Sequence, residues 1–351
     1  MQINIEKLVY GGSGMGFVDK MPVFVPMTVP GDAIEASITK KHKNYIEADA
    51  LKIVTASPNR VVPKCKYFGQ CGGCQWQHID YAAQILWKQL ILEEQLVRIG
   101  KIKEPNVLPT IPSPRAWNYR SRVKLHKDES GRVGFHAAGT NEVVEIDECL
   151  IAEHALKDMR TCEDDHFTQV NRGQNKNLQE LIVEVAAGVA NFSSRSTATN
   201  RGLKPATPAI LELYGGNGNL AFPLATAGFS VTSSDSDRKA IRFAQGVANK
   251  NKIENIKFIC QPARQVISYF AKQHKAFDCL LIDPPRCGCA EITEGILRLE
   301  PKHLIYVSCD PATMARDVKG LLGGGYKLIS SQPIDMFPQT FHIESVSVLC
   351  L

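Results

Sequence analysis

The chain has 351 residues, of which 44% are hydrophobic and 22% are charged, and its formal net charge is +5. A chain of this length forms two or three domains, and the composition is that of a globular protein with a buried core. No apolar run is long enough to span a membrane, and the N-terminus lacks the apolar core of a secretory signal. We therefore expect a cytoplasmic protein with no membrane partner and no obligate protein partner. The weak positive charge alone does not separate nucleic-acid-binding proteins from other classes.

The first part of the chain has the pattern of a small all-β unit. Short runs of alternating apolar and polar residues are separated by glycine-rich and Pro-Gly turn signals. These runs are Pro22–Pro26, Asp32–Thr39 and Ile46–Ile53. We predict a small β-barrel of the OB type over residues 1–56, an architecture that often binds nucleic acid. A purely structural cap is the alternative.

Four cysteines mark the middle of the chain, residues 57–166. They are Cys65, Cys71, Cys74 and the distant Cys149. Because no export signal is present, we interpret them as metal-binding thiols and not as disulfides. Four thiolates suffice for a tetrahedral zinc ion or a [4Fe–4S] cluster, and spacing alone does not separate these; four unliganded thiols are the third possibility. An amphipathic helix over Tyr81–Ile99 and β-type runs over 110–150 complete a mixed α+β domain.

The pattern changes near residue 176, where helices and apolar strands begin to alternate. A helix is predicted over Asn177–Ala187, followed by a polar segment over Asn191–Thr207. The predicted strands are Ala209–Leu213, Phe229–Ser233, Lys257–Cys260, Cys279–Ile282, Leu304–Val307 and Ser345–Leu349. This alternation is typical of a doubly wound α/β sheet, so we assign residues 167–351 to a Rossmann-like α/β domain.

A glycine-rich turn follows the first of these strands. In doubly wound sheets the ligand binds at the carboxyl ends of the central strands. Gly216 and Gly218 allow the backbone to approach a ligand closely. The next strand ends at Asp235, whose carboxylate can accept hydrogen bonds from both hydroxyls of a ribose. The spacing of Gly216, Gly218 and Ala221 also fits a dinucleotide fingerprint, so a nicotinamide oxidoreductase remains an alternative at this point.

Two later strands end in residues suited to catalysis. Asp283 follows one strand and is held by the rigid Pro284-Pro285 pair, and Cys309 follows the next strand. A thiolate that adds to C6 of uracil makes C5 nucleophilic toward the methyl group of a sulfonium. A base must then remove the C5 proton, and Glu344, just before the last strand, is the candidate. A non-catalytic RNA-binding protein is the alternative, which the presence of both Cys309 and Glu344 disfavours.

Four motifs together resemble those of the RNA (uracil-5-)-methyltransferase family. They are Asp283-Pro-Pro-Arg286, Ser308-Cys-Asp-Pro-Ala-Thr-Met-Ala-Arg-Asp317, Met336-Phe-Pro-x-Thr-x-His-x-Glu344 and Phe167-Thr-Gln-Val-Asn171. The resemblance extends over nearly the whole chain. It implies an S-adenosylmethionine-dependent methyltransferase in which Cys309 is the nucleophile and Glu344 accepts the proton.

The resemblance also implies a cofactor site, a metal cluster and a substrate. The residues expected to contact S-adenosylmethionine are Gln169, Tyr214, Asn219, Asp235 and Asp283. Residues 1–56 look like a TRAM domain, and the four cysteines look like the iron–sulfur ligands of the branch that modifies 23S rRNA. This favours [4Fe–4S] over zinc and 23S rRNA over tRNA. Two positions depart from the family pattern: Pro262 replaces a polar cofactor-contacting residue, and Gly215 replaces a frequent cysteine.

Overall fold

The computed structural model describes residues 1–156, 160–161, 169–196 and 207–351. The N-terminal part forms six strands: β1 (Gln2–Asn4), β2 (Lys7–Leu8), β3 (Gly14–Val18), β4 (Met21–Val25), β5 (Ala33–Lys41) and β6 (Ile46–Thr55). They form one sheet in the order β1-β5-β6-β4-β3-β2, in which only the β4–β6 pair is parallel. Alternate residues of β4 and β5 enter a common core with Ile3, as expected for strands with one buried face.

The central part combines one long helix with very short strands. Helix α1 (Tyr81–Arg98) begins at Asp80, whose side chain accepts a hydrogen bond from the backbone N–H of Ala82. The strands are β7 (Arg122–Val123), β8 (His126–Lys127), β9 (Val133–His136), β10 (Val143–Glu145) and β11 (Arg160–Thr161). Strands β8, β9 and β10 form one antiparallel sheet, whereas β7 pairs with β11 in parallel. The β-type runs predicted over 110–150 are thus divided between two sheets.

The C-terminal part is a helix followed by a seven-stranded sheet. Helix α2 (Arg172–Ser196) is longer at both ends than the predicted Asn177–Ala187. The strands are β12 (Ala209–Leu213), β13 (Ser230–Asp235), β14 (Ile256–Cys260), β15 (Cys279–Ile282), β16 (His303–Ser308), β17 (Lys327–Ile334) and β18 (Glu344–Cys350). The helices between them are α3 (Ala221–Thr226), α4 (Arg238–Lys250), α5 (Ala263–Lys272), α6 (Thr293–Leu299) and α7 (Pro311–Gly323).

The strand order of this sheet indicates where its ligand crevice lies. It runs β14-β13-β12-β15-β16-β18-β17, and its first five strands are parallel. The strand order reverses between β12 and β15, which is where doubly wound sheets bind ligands. The predicted α/β sheet is confirmed, and apolar residues on both of its faces are buried under helices.

The end of the sheet differs from the prediction. Strand β17 was not among the predicted strands, and it pairs antiparallel with β18 at the edge of the sheet. Its sequence includes the polar run Ser330-Ser331-Gln332 and then Pro333, which an edge strand tolerates but a central strand does not. The predicted boundary between residues 166 and 167 and most of the polar segment Asn191–Thr207 lie outside the described residues. Among the described helices, none has the length and apolarity needed to cross a membrane.

Candidate active site

Strand register brings the two predicted catalytic residues together. Ser308 of β16 pairs with Ser345 of β18 in an antiparallel register. Cys309 follows Ser308 and Glu344 precedes Ser345, so they lie opposite each other at the carboxyl end of β16. On the other side of β16, Ile282 pairs with Tyr306, which brings Asp283 to the same edge. Three side chains from three neighbouring strands therefore converge.

The two carboxyl groups of this site retain protons unusually strongly. Glu344 is 3% exposed, and burial raises its pKa well above the usual range, with a further rise from nearby Asp283. Burial also raises the pKa of Asp283. The guanidinium of Arg286 opposes the effect on Glu344. A carboxyl whose pKa approaches neutrality is suited to act as a general base in a catalytic cycle.

The thiol of Cys309 responds to the same charges. Burial, together with the carboxylates of Glu344 and Asp283, raises its pKa to about 11, although the guanidinium of Arg286 acts in the opposite direction. The resting site therefore holds a neutral thiol, and any added positive charge favours the reactive thiolate. The loop that carries Arg286 is fixed to α7, because the hydroxyl of Thr313 donates to the Arg286 carbonyl at 3.0 Å.

The turn after Cys309 is held by the start of α7. One carboxylate oxygen of Asp310 accepts hydrogen bonds from the backbone N–H groups of Ala312 and Thr313, at 3.0 and 2.9 Å. Pro311 occupies the first helical turn, where a missing N–H costs nothing. Cys309 thus lies in a short link between a buried strand and a capped helix.

The glycine-rich turn forms the other wall of the crevice. Gly216 has a φ of 53° and Gly218 a φ of 89°, and a Cβ on Gly218 would lie 2.6 Å from the ring of Phe222. The backbone N–H of Gly216 donates to one oxygen of Asp235 at 2.9 Å, and that of Asp237 donates to the other oxygen at 2.8 Å. These bonds fix the Asp235 carboxylate at the end of β13 with lone pairs remaining for a ligand.

The other predicted cofactor residues have more varied positions. Tyr214 adopts a φ of 61°, and its hydroxyl donates to Glu291 at 2.5 Å. The side-chain amide of Asn219 is turned toward α2, where it exchanges two 2.9 Å hydrogen bonds with the amide of Asn175. Asn219 directly follows the glycine-rich turn, but part of the hydrogen-bonding capacity of its amide is used by Asn175 of α2.

The chain next to Gln169 contacts the segment that leads to Glu344. Gln169 is half-buried and lies two residues before Asn171, whose amide donates to the carbonyl of Met336 at 3.2 Å. Met336 opens the segment that leads to Glu344. The motif around Gln169 is therefore tied to the same segment, whereas Phe167 and Thr168 lie outside the described residues.

Comparison with known proteins identifies the fold and the family. A family model described as tRNA (uracil-5-)-methyltransferase matches residues 197–350. An uncharacterized RNA methyltransferase of Bdellovibrio bacteriovorus is 33% identical over 99% of this chain and 94% of its own length. Another, from Aquifex aeolicus, is 30% identical over 99% of this chain and 98% of its own length. The chain belongs to the RNA (uracil-5-)-methyltransferase family.

A solved structure extends the similarity to the entire fold. The crystal structure of Pyrococcus abyssi tRNA (uracil-54, C5)-methyltransferase in complex with S-adenosyl-L-homocysteine covers 99% of this chain and 100% of its own, with a TM-score of 0.71 and 24% identity. The predicted resemblance to RNA (uracil-5-)-methyltransferases is confirmed, and with it the assignment as an S-adenosylmethionine-dependent enzyme. The nicotinamide oxidoreductase alternative is discarded. The 23S rRNA branch stays a prediction.

The structure accounts for one of the two departures from the family pattern. A Cβ on Gly215 of this methyltransferase would lie 2.2 Å from the Ser233 hydroxyl and 2.6 Å from a carboxylate oxygen of Glu212. These two side chains fill the space that a cysteine would need. Pro262 begins α5 with a φ of −58°, which suits proline but supplies no N–H donor.

One face of α1 is a functional feature that sequence reasoning missed. Tyr81, Gln84 and Lys88 follow helical spacing and all contact the segment Asp335–Gln339, which leads to Glu344. Gln84 exchanges hydrogen bonds with Gln339 through both its amide nitrogen and its amide oxygen. Polar residues at i, i+3 and i+7 on the inward side of an amphipathic helix were the available signal.

The four predicted metal-binding cysteines line one cavity in the central domain. Its wall also includes the aromatic residues Tyr67, Phe68 and Phe135. Burial raises the pKa of three of the thiols, those of Cys71, Cys74 and Cys149. Within the described parts of the chain, no three cysteine, histidine or carboxylate side chains converge on a single metal-ion position. The thiols thus share a cavity but are not arranged around one ion.

Proposed function

We propose that this methyltransferase modifies C5 of a uridine in 23S rRNA through a covalent bond between Cys309 and C6 of the base. The strand register that sets Cys309 opposite Glu344 carries the proposal. A nucleophile and a base on opposite sides of one crevice can act on adjacent atoms of the same ring. The nearby Asp283 and Arg286 adjust the charge of both groups.

The residues act in three steps. The Cys309 thiolate forms a bond to C6, and the electron pair of the C5–C6 double bond moves into the ring as an enolate. The nucleophilic C5 would then attack the methyl carbon of the bound sulfonium, whose carbon–sulfur bond would break to release a neutral thioether. Glu344 removes the C5 proton, and the electron pair of that C–H bond restores the double bond as the C6–sulfur bond breaks. The thiolate is regenerated, and the proton rests on Glu344.

S-adenosylmethionine, when bound, supplies a methyl group on a positively charged sulfonium. We propose that it is held by the side chains of Gln169, Tyr214, Asn219, Asp235 and Asp283 and by the backbone at Gly216 and Gly218. The lone pairs left on the fixed carboxylate of Asp235 fit ribose hydroxyls. A positive charge near Asp283 lowers the pKa of the neighbouring groups, so the same site favours ionised Glu344 and Cys309.

A target nucleotide cannot be methylated inside a helix, so it must be single-stranded or flipped out. Sequence resemblance in the cysteine cluster and the N-terminal domain supports 23S rRNA. A tRNA substrate is the second candidate, because the Pyrococcus abyssi tRNA enzyme matches this chain over its whole length. The overall fold therefore does not separate the two substrates.

Transfer of a labelled methyl group to unmodified 23S rRNA and unmodified tRNA tests the proposal. We expect 23S rRNA to be labelled at one uridine, and digestion to nucleosides should yield 5-methyluridine as the only labelled product. Cys309→Ala provides the background. Labelling of tRNA alone would assign the second substrate, and a labelled product other than 5-methyluridine would contradict the chemistry.

We further propose that residues 1–56 form a TRAM-type RNA-binding barrel and that Cys65, Cys71, Cys74 and Cys149 hold a [4Fe–4S] cluster. The four thiols line a common cavity, and the sequence resemblance favours a [4Fe–4S] cluster over a single tetrahedral zinc. The reaction transfers no electrons, so the cluster would cross-link the central domain. It would join Cys149 to the segment from Cys65 to Cys74.

Cys149→Ser tests the cluster proposal. Protein purified without oxygen should contain about four iron atoms per chain, and the variant should lose most of them. Hydrogen exchange should accelerate around residues 65–74, because their link to Cys149 is broken. Cys350→Ser, at a half-buried cysteine of β18, is the matched control and should keep its iron. Zinc in the wild-type protein, or unchanged exchange after iron loss, would contradict the proposal.

A further inference from the structure

A loop of the N-terminal sheet contacts the turn that follows Cys309. Tyr10 lies in the loop between β2 and β3, and its hydroxyl donates a 2.9 Å hydrogen bond to Oδ2 of Asp310. Asp310 directly follows Cys309, and it is 300 residues from Tyr10 in the sequence. One hydrogen bond thus joins the N-terminal sheet to the turn that carries the proposed nucleophile.

Both carboxylate oxygens of Asp310 are engaged in this arrangement. Oδ1 accepts from the backbone at the start of α7, whereas Oδ2 accepts from Tyr10. Because the cap fixes the side chain relative to the helix, Tyr10 holds the complete turn, not just one side chain. Hydrogen bonds to a charged acceptor are stronger than those between neutral groups.

The loop that carries Tyr10 is itself firmly held. The Tyr10 ring packs edge-to-face on Phe341 with 5.9 Å between ring centroids, and Phe341 packs on His342 at 4.4 Å. The carbonyl of Gly12 accepts a 3.0 Å hydrogen bond from the Trp76 indole. A Cβ on Gly12 would lie 3.0 Å from the Phe341 ring, so the loop lies directly on that ring. These contacts therefore fix the direction in which the Tyr10 hydroxyl points, toward Asp310.

The electrostatic surroundings keep Tyr10 a neutral donor. Burial raises the pKa of its hydroxyl above the usual range, and the hydrogen bond to Asp310 raises it further. Arg286 lowers this pKa and the Cys309 thiolate raises it. The hydroxyl is thus close enough to the reacting groups to sense their charges.

We propose that Tyr10 is a positioning residue for methyl transfer, which holds Asp310 and thereby sets the Cys309 sulfur for attack on C6. This inference rests on the proposed role of Cys309. A displacement of a reacting group by about 1 Å can cost about 100-fold in rate. It also gives the N-terminal sheet a part in the chemistry in addition to any part in RNA binding.

Tyr10→Phe is the decisive variant, because it removes the hydroxyl and keeps the ring on Phe341. RNA transcribed with 5-fluorouridine is the probe, since fluorine at C5 cannot leave as a proton and the covalent adduct accumulates. At saturating RNA and S-adenosylmethionine we expect adduct formation to slow by about tenfold or more. The KM for RNA should stay at the wild-type value, and the variant should remain folded at the assay temperature.

Two further variants identify the path of the effect. Asp310→Ser keeps a good helix-capping residue but is too short to reach Tyr10, so adding Tyr10→Phe to it should change the rate less than about twofold. Tyr326→Phe is the matched control: this buried tyrosine donates at 2.8 Å to the Pro301 carbonyl, outside the site. Its rate should equal that of the wild type.

The outcomes separate this inference from the proposed function. A wild-type enzyme that forms no adduct would overturn the covalent mechanism and this inference with it. A wild-type enzyme that forms the adduct, together with Tyr10→Phe at an unchanged rate, would overturn the inference alone. A raised KM for RNA at an unchanged rate would make Tyr10 an RNA contact and would likewise reject the positioning role.

Discussion

Glu344→Gln is expected to leave the enzyme covalently attached to its RNA. Glutamine cannot accept the C5 proton, so addition of Cys309 and methyl transfer proceed while elimination stops. Because burial raises the pKa of Glu344, the resting site favours a neutral side chain, and glutamine matches the protonated acid in shape and charge. The variant should therefore fold normally. Turnover should fall by about 10³-fold or more, in the range found for lost general bases.

The adduct can be measured directly. A denaturing gel should show the protein shifted by the mass of the RNA, and mass spectrometry should locate the bond on the peptide that contains Cys309. Cys309→Ala and the double variant Cys309→Ala with Glu344→Gln are the controls, and neither should form an adduct. If the Glu344→Gln enzyme has lost activity but forms no adduct, then a residue other than Glu344 is the base. Asp283 is the next candidate.

The sequence predicted the residues of this site better than their arrangement. Asp283 and Cys309 were recognisable because each follows a short apolar run, and the ends of such strands meet at one edge of a parallel sheet. Glu344 was predicted as the base that acts with Cys309, but the strand register that places it opposite Cys309 was not recognisable. It depends on β18 entering antiparallel between β16 and β17, and β17 lacks a clear hydrophobic pattern. Register between distant strands is decided by tertiary packing, which local patterns do not encode.

The supporting contacts were beyond sequence reasoning for a related reason. Tyr10 contacts Asp310 across 300 residues, and Lys88 contacts Asp335 across 247 residues. Lys88 was not recognised as buried, because a polar side chain on an amphipathic helix is normally taken to face solvent, although its spacing from Tyr81 and Gln84 places the three on one helix face. Charged residues enter a core only when a specific partner is present, and the partner is visible only in the fold.

Lys88→Met is expected to destabilise the protein by about 3–5 kcal/mol. Lys88 and Asp335 have fully buried side chains with 2.5 Å between Nζ and Oδ1, and Lys88 also donates to the Phe337 carbonyl at 3.0 Å. Methionine preserves the packing volume but leaves the carboxylate of Asp335 without its counter-charge. The hydrogen bond from Tyr81 at 2.7 Å remains and compensates only in part. Urea unfolding of the wild type and the variant gives the difference.

Two comparisons show whether burial is the cause. Lys7 of β2 and Glu94 of α1, the helix that also carries Lys88, form an ion pair of 2.7 Å with side chains that are 33% and 19% exposed. Lys7→Met should therefore cost less than about 1 kcal/mol. Adding Asp335→Asn to Lys88→Met removes the unpaired charge while keeping an acceptor for Tyr81, so much of the lost stability should return.

The same pair should also matter for catalysis, because it anchors the segment that leads to Glu344. At a temperature where Lys88→Met remains folded, its rate of methyl transfer should fall while its affinity for S-adenosylmethionine stays near the wild-type value. The Lys88→Met, Asp335→Asn enzyme should regain stability more fully than rate, since the anchoring bond to Phe337 is still absent. A Lys88→Met enzyme that loses no more stability than Lys7→Met would mean that water reaches Asp335, and that α1 holds the segment through Gln84 instead.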